Sequence, residues 1–155
     1  LSDTLFVRAL ERADLAAVAL VLDGTGLFPP DLLAPMAEPF LSGAAPHHWL
    51  VACEGGRPIG FVYCEPERMT EGTFNLLAIA VLPERQRGGV GRELVRSLEA
   101  RLRRARARVL LVETSSLDEY ARTRAFYDRE GFSREALIRD FYTEGEHKVV
   151  FRKRL

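Results

Sequence analysis

Apolar residues recur along this chain with periods of about 2 and about 3.6 residues, and the switches between the two periods predict an alternation of strands and helices. Leu5, Val7 and Ala9 alternate with Phe6 and Arg8 as a first strand. Asp14 is placed to cap an apolar helix running to about Leu22, with Gly24 and Gly26 expected to break it. After Pro29-Pro30 a second short helix fits 31–40, although Pro35 and Pro39 limit its regularity. Residues 49–54 and 58–65 then read as a hairpin over Glu54-Gly55-Gly56-Arg57, because a Gly-Gly pair supplies the positive dihedrals of a tight turn.

The second half of the chain changes character. A strand is expected from about Thr73 to Val81, and its run Leu76 to Val81 is too apolar for a sheet edge. Leu94, Val95, Leu98 and Leu102 lie at helical spacing within 90–105, and a further strand covers 109–114. A strand-helix-strand crossover makes the two strands parallel neighbours. Ser116 can cap a helix with Asp118 and Glu119 in its first turn, carrying the chain to about Arg129, where Gly131 stops it. The last strands fall at 132–141 and 148–154, joined through Thr143-Glu144-Gly145-Glu146. The order is β-α-α-β-β-β-α-β-α-β-β, an α/β chain with a mixed central sheet.

Length and charge narrow the reading. At 155 residues one domain, 1–155, is expected, large enough for a single core. Twenty-two basic residues balance 22 acidic ones, so bulk charge gives no support to nucleic-acid binding. The segment Leu1 to Phe6 lacks a basic region and a long apolar run, and no apolar stretch is long enough to span a bilayer, so a cytoplasmic protein without a membrane partner is expected. Cys53 and Cys64 flank the Gly-Gly turn without facing each other and read as free, buried thiols. His47 and His48 lack companions at ligand spacing, so no metal site is expected. Arg101, Arg103, Arg104, Arg106 and Arg108 complement a helix C-terminus and keep its outer face wet. Aromatics interleaved on an exposed sheet, which RNA would want, are not seen.

The most chemically suggestive stretch runs from Ile79 to Arg92: a strand, a glycine-rich turn, then a helix start. That order gathers backbone N–H groups and a helix N-terminus around a small space, with Arg85, Arg87 and Arg92 beside it, which suits a pyrophosphate. Glycines between a strand and a helix also occur for purely structural reasons. A phosphate-binding P-loop would need a Gly-Lys-Ser/Thr ending, absent here. A dinucleotide fingerprint would need an acidic residue at the tip of the following strand, and the candidate, Glu113, lies inside a strand-like run.

Gln86-Arg87-Gly88-Gly89-Val90-Gly91 resembles motif A of the GCN5-related N-acetyltransferases, Gln/Arg-x-x-Gly-x-Gly/Ala, and Phe126-Tyr127-Asp128-Arg129-Glu130-Gly131-Phe132 resembles their motif B, Leu/Phe-Tyr-x-x-x-Gly-Phe. With the order of elements, the resemblance extends over essentially the full chain. It implies the acyl-CoA N-acyltransferase (GNAT) fold and the use of acetyl-coenzyme A. Residues Arg85 to Arg92, including Gly88, Gly89, Val90 and Gly91, would then surround the cofactor pyrophosphate, while Ile79, Ala80 and Val81 pair with its pantetheine arm. An N–H at Ile79 or Val81 would polarise the acetyl carbonyl. Tyr127 would protonate the leaving thiolate. Tyr120 and Thr123 stand where the family often has Asn and Ala next to the cofactor arm, a departure that puts that one contact in question.

The reaction so implied moves an acetyl group directly to a primary amine of a small molecule or peptide. A non-catalytic acyl-CoA sensor and a structural interaction domain are the alternatives, and a homodimer is compatible with the family although the sequence reveals no self-complementary patch. Glu113 is the candidate general base, with burial expected to raise its pKa, and the competing reading pairs it with an arginine at the strand end. Asn75 is a candidate substrate or water contact. Glu65, Glu67 and Glu71 form either a negative rim for a cationic amine or a solvated loop, and residues 23–46 are expected to form a substrate-facing wall.

Overall fold

The computed structural model describes residues 4–155; residues 1–3, part of the stretch expected to carry no leader, lie outside the described residues. The expected order of elements is observed, and the chain divides into two compact units. One comprises the residues up to Glu65 with Leu77–Arg101, the other Pro66–Leu76 with Leu102–Leu155.

In the first unit the strands β1 (Phe6–Ala9), β2 (His48–Glu54) and β3 (Arg57–Pro66) form an antiparallel meander, with β4 (Thr73–Val81) next in order. Gly55 and Gly56 have φ of 60° and 76°, the pair of positive values that the tight β2–β3 turn demands. Gly60 has a different purpose. A Cβ there would lie 2.9 Å from the Ala80 carbonyl oxygen, so only glycine lets β3 approach that backbone. The core of this unit gathers Trp49, Val51 and Phe61 from the strands with Val18, Val21 and Leu22 of α1 (Leu15–Thr25) and Leu33 and Ala37 of α2 (Leu33–Leu41). The Trp49 and Tyr63 rings stack with centroids 4.1 Å apart.

Two helix boundaries depart from expectation. Gly24 does not break α1, which runs on to Thr25 and stops at Gly26 in the left-handed conformation. Asp14 precedes α1 but makes no side-chain cap. Its carboxylate accepts the Glu11 backbone N–H at 2.8 Å and both terminal nitrogens of Arg8 at 2.6 and 2.8 Å. A bidentate charged partner from β1 outcompetes the neutral helix N–H groups.

The Arg8 hydrogen bonds hold the buried Asp14 carboxyl below the usual carboxylate range. A pKa depressed on folding contributes stability that is present above the unfolded value, near 3.8, and is lost as the pH falls through the lower folded value. Asp14→Asn is therefore expected to lower stability by about 1–3 kcal/mol at neutral pH. Thermal melts of the two proteins should converge as the pH drops below about 4; a difference that persists undiminished in acid would show that the ion pair is not its source.

In the second unit residues 73–76 of β4 pair in parallel with 109–112 of β5 (Val109–Ser115). β7 (Glu146–Arg154) pairs antiparallel with β5, and β6 (Ser133–Thr143) antiparallel with β7, so the sheet is mixed. The helix α3 (Val90–Arg104) ends in an αL residue, Arg106, after which the Ala107 N–H returns to the Leu102 carbonyl. α4 (Ala121–Arg129) follows a 3-10 turn over Asp118–Tyr120. Ser116 is not its cap: its hydroxyl accepts the His147 N–H, and Arg124 instead bonds the Ser115 and Leu117 carbonyls. Gly131, at φ 88°, ends α4 as expected and turns the chain into β6. Both cysteines are free and buried, and among the described residues no helix is long and apolar enough to cross a membrane.

Candidate active site

The glycine loop is built from the end of β4 outward. After Val81 the chain makes a 3-10 turn over Pro83–Arg85, with the Leu82 N–H bonded to the Ile59 carbonyl. The Gln86 side chain reaches back to donate to the Val81 carbonyl at 3.0 Å, which anchors the loop to its strand. Arg87 and Gly89 both have positive φ, 68° and 84°, so the backbone curls before entering α3 at Val90. The first helical bond runs from the Glu93 N–H to the Gly89 carbonyl at 3.1 Å. The N–H groups of Val90 and Gly91 thus precede the first intrahelical bond and stand at the positive end of the helix dipole.

Residues 83–89 are exposed, and a Cβ on Gly89 would meet nothing within 4 Å. The curled backbone, the helix N-terminus and the open space above Gly89 fit a pyrophosphate. Arg87 lies on the loop and Arg92 in the first turn of α3, and the Arg85 guanidinium is 2.6 Å from Glu54. Along β4, Ala80 is buried while Ile79 and Val81 are half-buried.

In the second unit the candidate base and the candidate substrate contact are brought together. Asn75 Nδ2 donates to Glu113 Oε1 at 3.3 Å and to Glu67 Oε1 at 2.8 Å. The other oxygen of Glu113 is 2.9 Å from Lys148 Nζ, and that ammonium lies 3.5 Å from the centre of the Phe141 ring. The cation paired with Glu113 is thus a lysine rather than the arginine considered from the sequence. On its β4 side the β5 ladder ends at Val112, so Glu113 is the first β5 residue past it.

Lys148 carries no local signature in the sequence, and Glu67 stands there only as one of three candidate rim carboxylates with Glu65 and Glu71. Lys148 pairs with Ser115, two positions along β5 from Glu113, so the two charges are diagonal cross-strand neighbours. Only the antiparallel β5–β7 register brings Glu113 and Lys148 together, while Glu67 joins through Asn75.

Tyr127 is 3% exposed, its ring 5.5 Å from those of Phe132 and Phe151. Burial pushes its phenol upward, so it stays protonated around neutral pH and suits a proton donor. Tyr120 precedes α4 and is exposed, and Thr123 lies in its first turn, half-buried. In the first unit His47 Nε2 is 3.4 Å from Glu65, which also accepts the Tyr63 hydroxyl, while burial lowers the pKa of His48. Among the described residues no cluster of His, Cys, Asp and Glu has the makings of a metal site.

Residues 19–132, well over half of the chain, match the model of the acetyltransferase (GNAT) family. The chain is similar to the crystal structure of a protein from Desulfovibrio desulfuricans described as an acetyltransferase of the same family, with 33% identity and a TM-score of 0.88 over 97% of this chain and 99% of that one. The fold is also that of the ribosomal-protein-S18-alanine N-acetyltransferase of Escherichia coli, with 22% identity and a TM-score of 0.77 over 97% and 94% of the two chains. A Salmonella typhimurium structure containing acetyl-CoA shares it too, with 20% identity and a TM-score of 0.78 over 97% and 94%. No curated protein matches the sequence.

Proposed function

The chain belongs to the acetyltransferase (GNAT) family, and from that premise we propose that it moves an acetyl group from acetyl-CoA directly to a primary amine of a small molecule or peptide. The observation that carries the reading is the loop Gln86–Gly91: positive φ at Arg87 and Gly89, a helix N-terminus directly after, and space for an anion. Acetyl-CoA supplies an activated thioester, and the work left to the protein is to hold it, stabilise charge on the carbonyl oxygen and manage two protons.

The loop from Gln86 to Gly91, with Arg87 and Arg92, holds the pyrophosphate. The backbone of β4 at Ile79–Val81 supplies the groups for the pantetheine arm and an N–H for the oxyanion. Glu113 takes the proton of the incoming ammonium, directly or through water, and Tyr127 returns one to the leaving thiolate.

Calorimetric titration with acetyl-CoA, with desulfo-CoA as control, is the deciding experiment, followed by thiol release across a panel of amines. Saturable binding with amine-dependent thiol release is expected. Binding without turnover of any amine would favour an acyl-CoA sensor, and folded protein that binds nothing would make the loop structural.

A further inference from the structure

We propose that β6 is a homodimer interface, in which two copies of this chain meet antiparallel across their β6 edges about a twofold axis at Leu137. The inference is independent of the acetyltransferase reading.

The starting point is an uncovered edge. β6 is the last strand of the sheet, with β7 on one side, and every residue from Ser133 to Thr143 is exposed. Leu137, Ile138, Phe141 and Tyr142 are each between 46% and 55% exposed. The strand contains neither proline nor lysine, two residues that keep an edge from meeting another chain. Apolar groups gathered on an open edge mark a surface that another chain covers. Register shifts around Glu135 and over 139–142 leave 136–138 in regular pairing with β7. The edge is therefore unsuited to a long intermolecular ladder, and what it offers is side chains.

Charge says what covers it. Reversing Arg134-Glu135-Ala136-Leu137-Ile138-Arg139-Asp140 about Leu137 places every charge opposite its contrary. In an antiparallel pair Arg134 faces the partner's Asp140 and Glu135 faces the partner's Arg139. The twofold repeats both contacts, so opposite charges flank an apolar centre of Ala136, Leu137 and Ile138 on each side. Moving the axis midway towards either neighbouring residue sets like charges together, Glu135 against the partner's Asp140 or Arg134 against the partner's Arg139. The pattern thus selects one register, and a twofold contact closes on itself as a dimer.

Arg134 and Asp140 also have partners in their own chain, Arg134 at 2.8 Å from Asp128 and Asp140 accepting the Gly145 N–H at 2.9 Å. Among the described residues Glu135 and Arg139 have no ion pair, so the inner contacts are the ones that dimerisation adds. The charge pattern stands in the sequence, but only the place of β6 at the sheet edge makes it a surface. Phe141, on the same strand, lies 3.5 Å over the Lys148 ammonium that pairs with Glu113, so the interface adjoins the candidate base.

Sedimentation equilibrium of the full chain is the test, with circular dichroism melts to show each variant folded. Wild type is expected to be a dimer at about 10 µM. Leu137→Glu, which sets two charges at the axis, should give monomer, while Leu20→Glu, the same change at an exposed position of α1, should leave the dimer. Glu135→Arg and Arg139→Glu each make both inner contacts repulsive and should raise the dissociation constant by about tenfold. The double variant Glu135→Arg/Arg139→Glu restores opposite charges and should return within about twofold of wild type. A monomeric wild type, an assembly larger than a dimer, equal dissociation in Leu20→Glu and Leu137→Glu, or a double variant no better than the single ones would overturn the proposal.

Discussion

Gly89→Asp is expected to weaken acetyl-CoA binding by about a hundredfold, close to 2.7 kcal/mol, while leaving the protein folded. Two effects combine. Gly89 has φ of 84°, where any residue with a Cβ is strained, so the loop would relax away from the curl that presents its N–H groups. The carboxylate would also stand at the helix N-terminus, where the incoming pyrophosphate needs the same donors and would be repelled by its charge. The space above Gly89 is open, so the side chain displaces no packing and the melting temperature should move little. Gly89→Ala separates the causes: it carries the strain without the charge and should fall between wild type and Gly89→Asp. Titration with acetyl-CoA in variants shown to be folded is the check, and wild-type affinity in Gly89→Asp would remove the loop from the cofactor site.

That this loop could be found whole from sequence, while Glu67, Asn75 and Glu113 could be named only as separate candidates and Lys148 and their joining into one cluster could not, has one physical origin. The loop is local: strand end, glycines and helix start lie within 14 consecutive residues from Ile79 to Arg92, and each choice acts on its own backbone. The same holds for the Gly55-Gly56 turn and for Gly131, whose roles require only a positive φ. The cluster is assembled by pairing between strands distant in sequence, and β5 meets β7 in a register that depends on the whole sheet.

Capping failed for a related reason. Asp14 and Ser116 are good helix N-caps by local rule, but each found a stronger or better-placed partner across space, Arg8 for one and the His147 N–H for the other. Gly24 shows the opposite error. Its propensity to end a helix was outweighed by the apolar face of α1, which places Val18, Val21 and Leu22 in the core and carries the helix one turn further.

Tyr127→Phe tests the chemistry rather than the binding, and turnover is expected to fall about a hundredfold with KM for acetyl-CoA nearly unchanged. The substitution removes one oxygen from a ring that is 3% exposed and packed against Phe132 and Phe151, so the aromatic cluster and the end of α4 at Gly131 should persist. Lost turnover could then be assigned to the hydroxyl, not to a collapsed core. Burial pushes the phenol upward, so it stays protonated throughout the range in which a thiolate would be discharged. An alkaline fall in wild-type kcat near neutral pH would therefore have to come from another group. With the phenol gone, solvent must supply the proton, and the rate should become sensitive to added general acids in Tyr127→Phe but not in wild type. Unchanged turnover in the variant would make Tyr127 a packing residue and leave the leaving thiolate to be protonated by water.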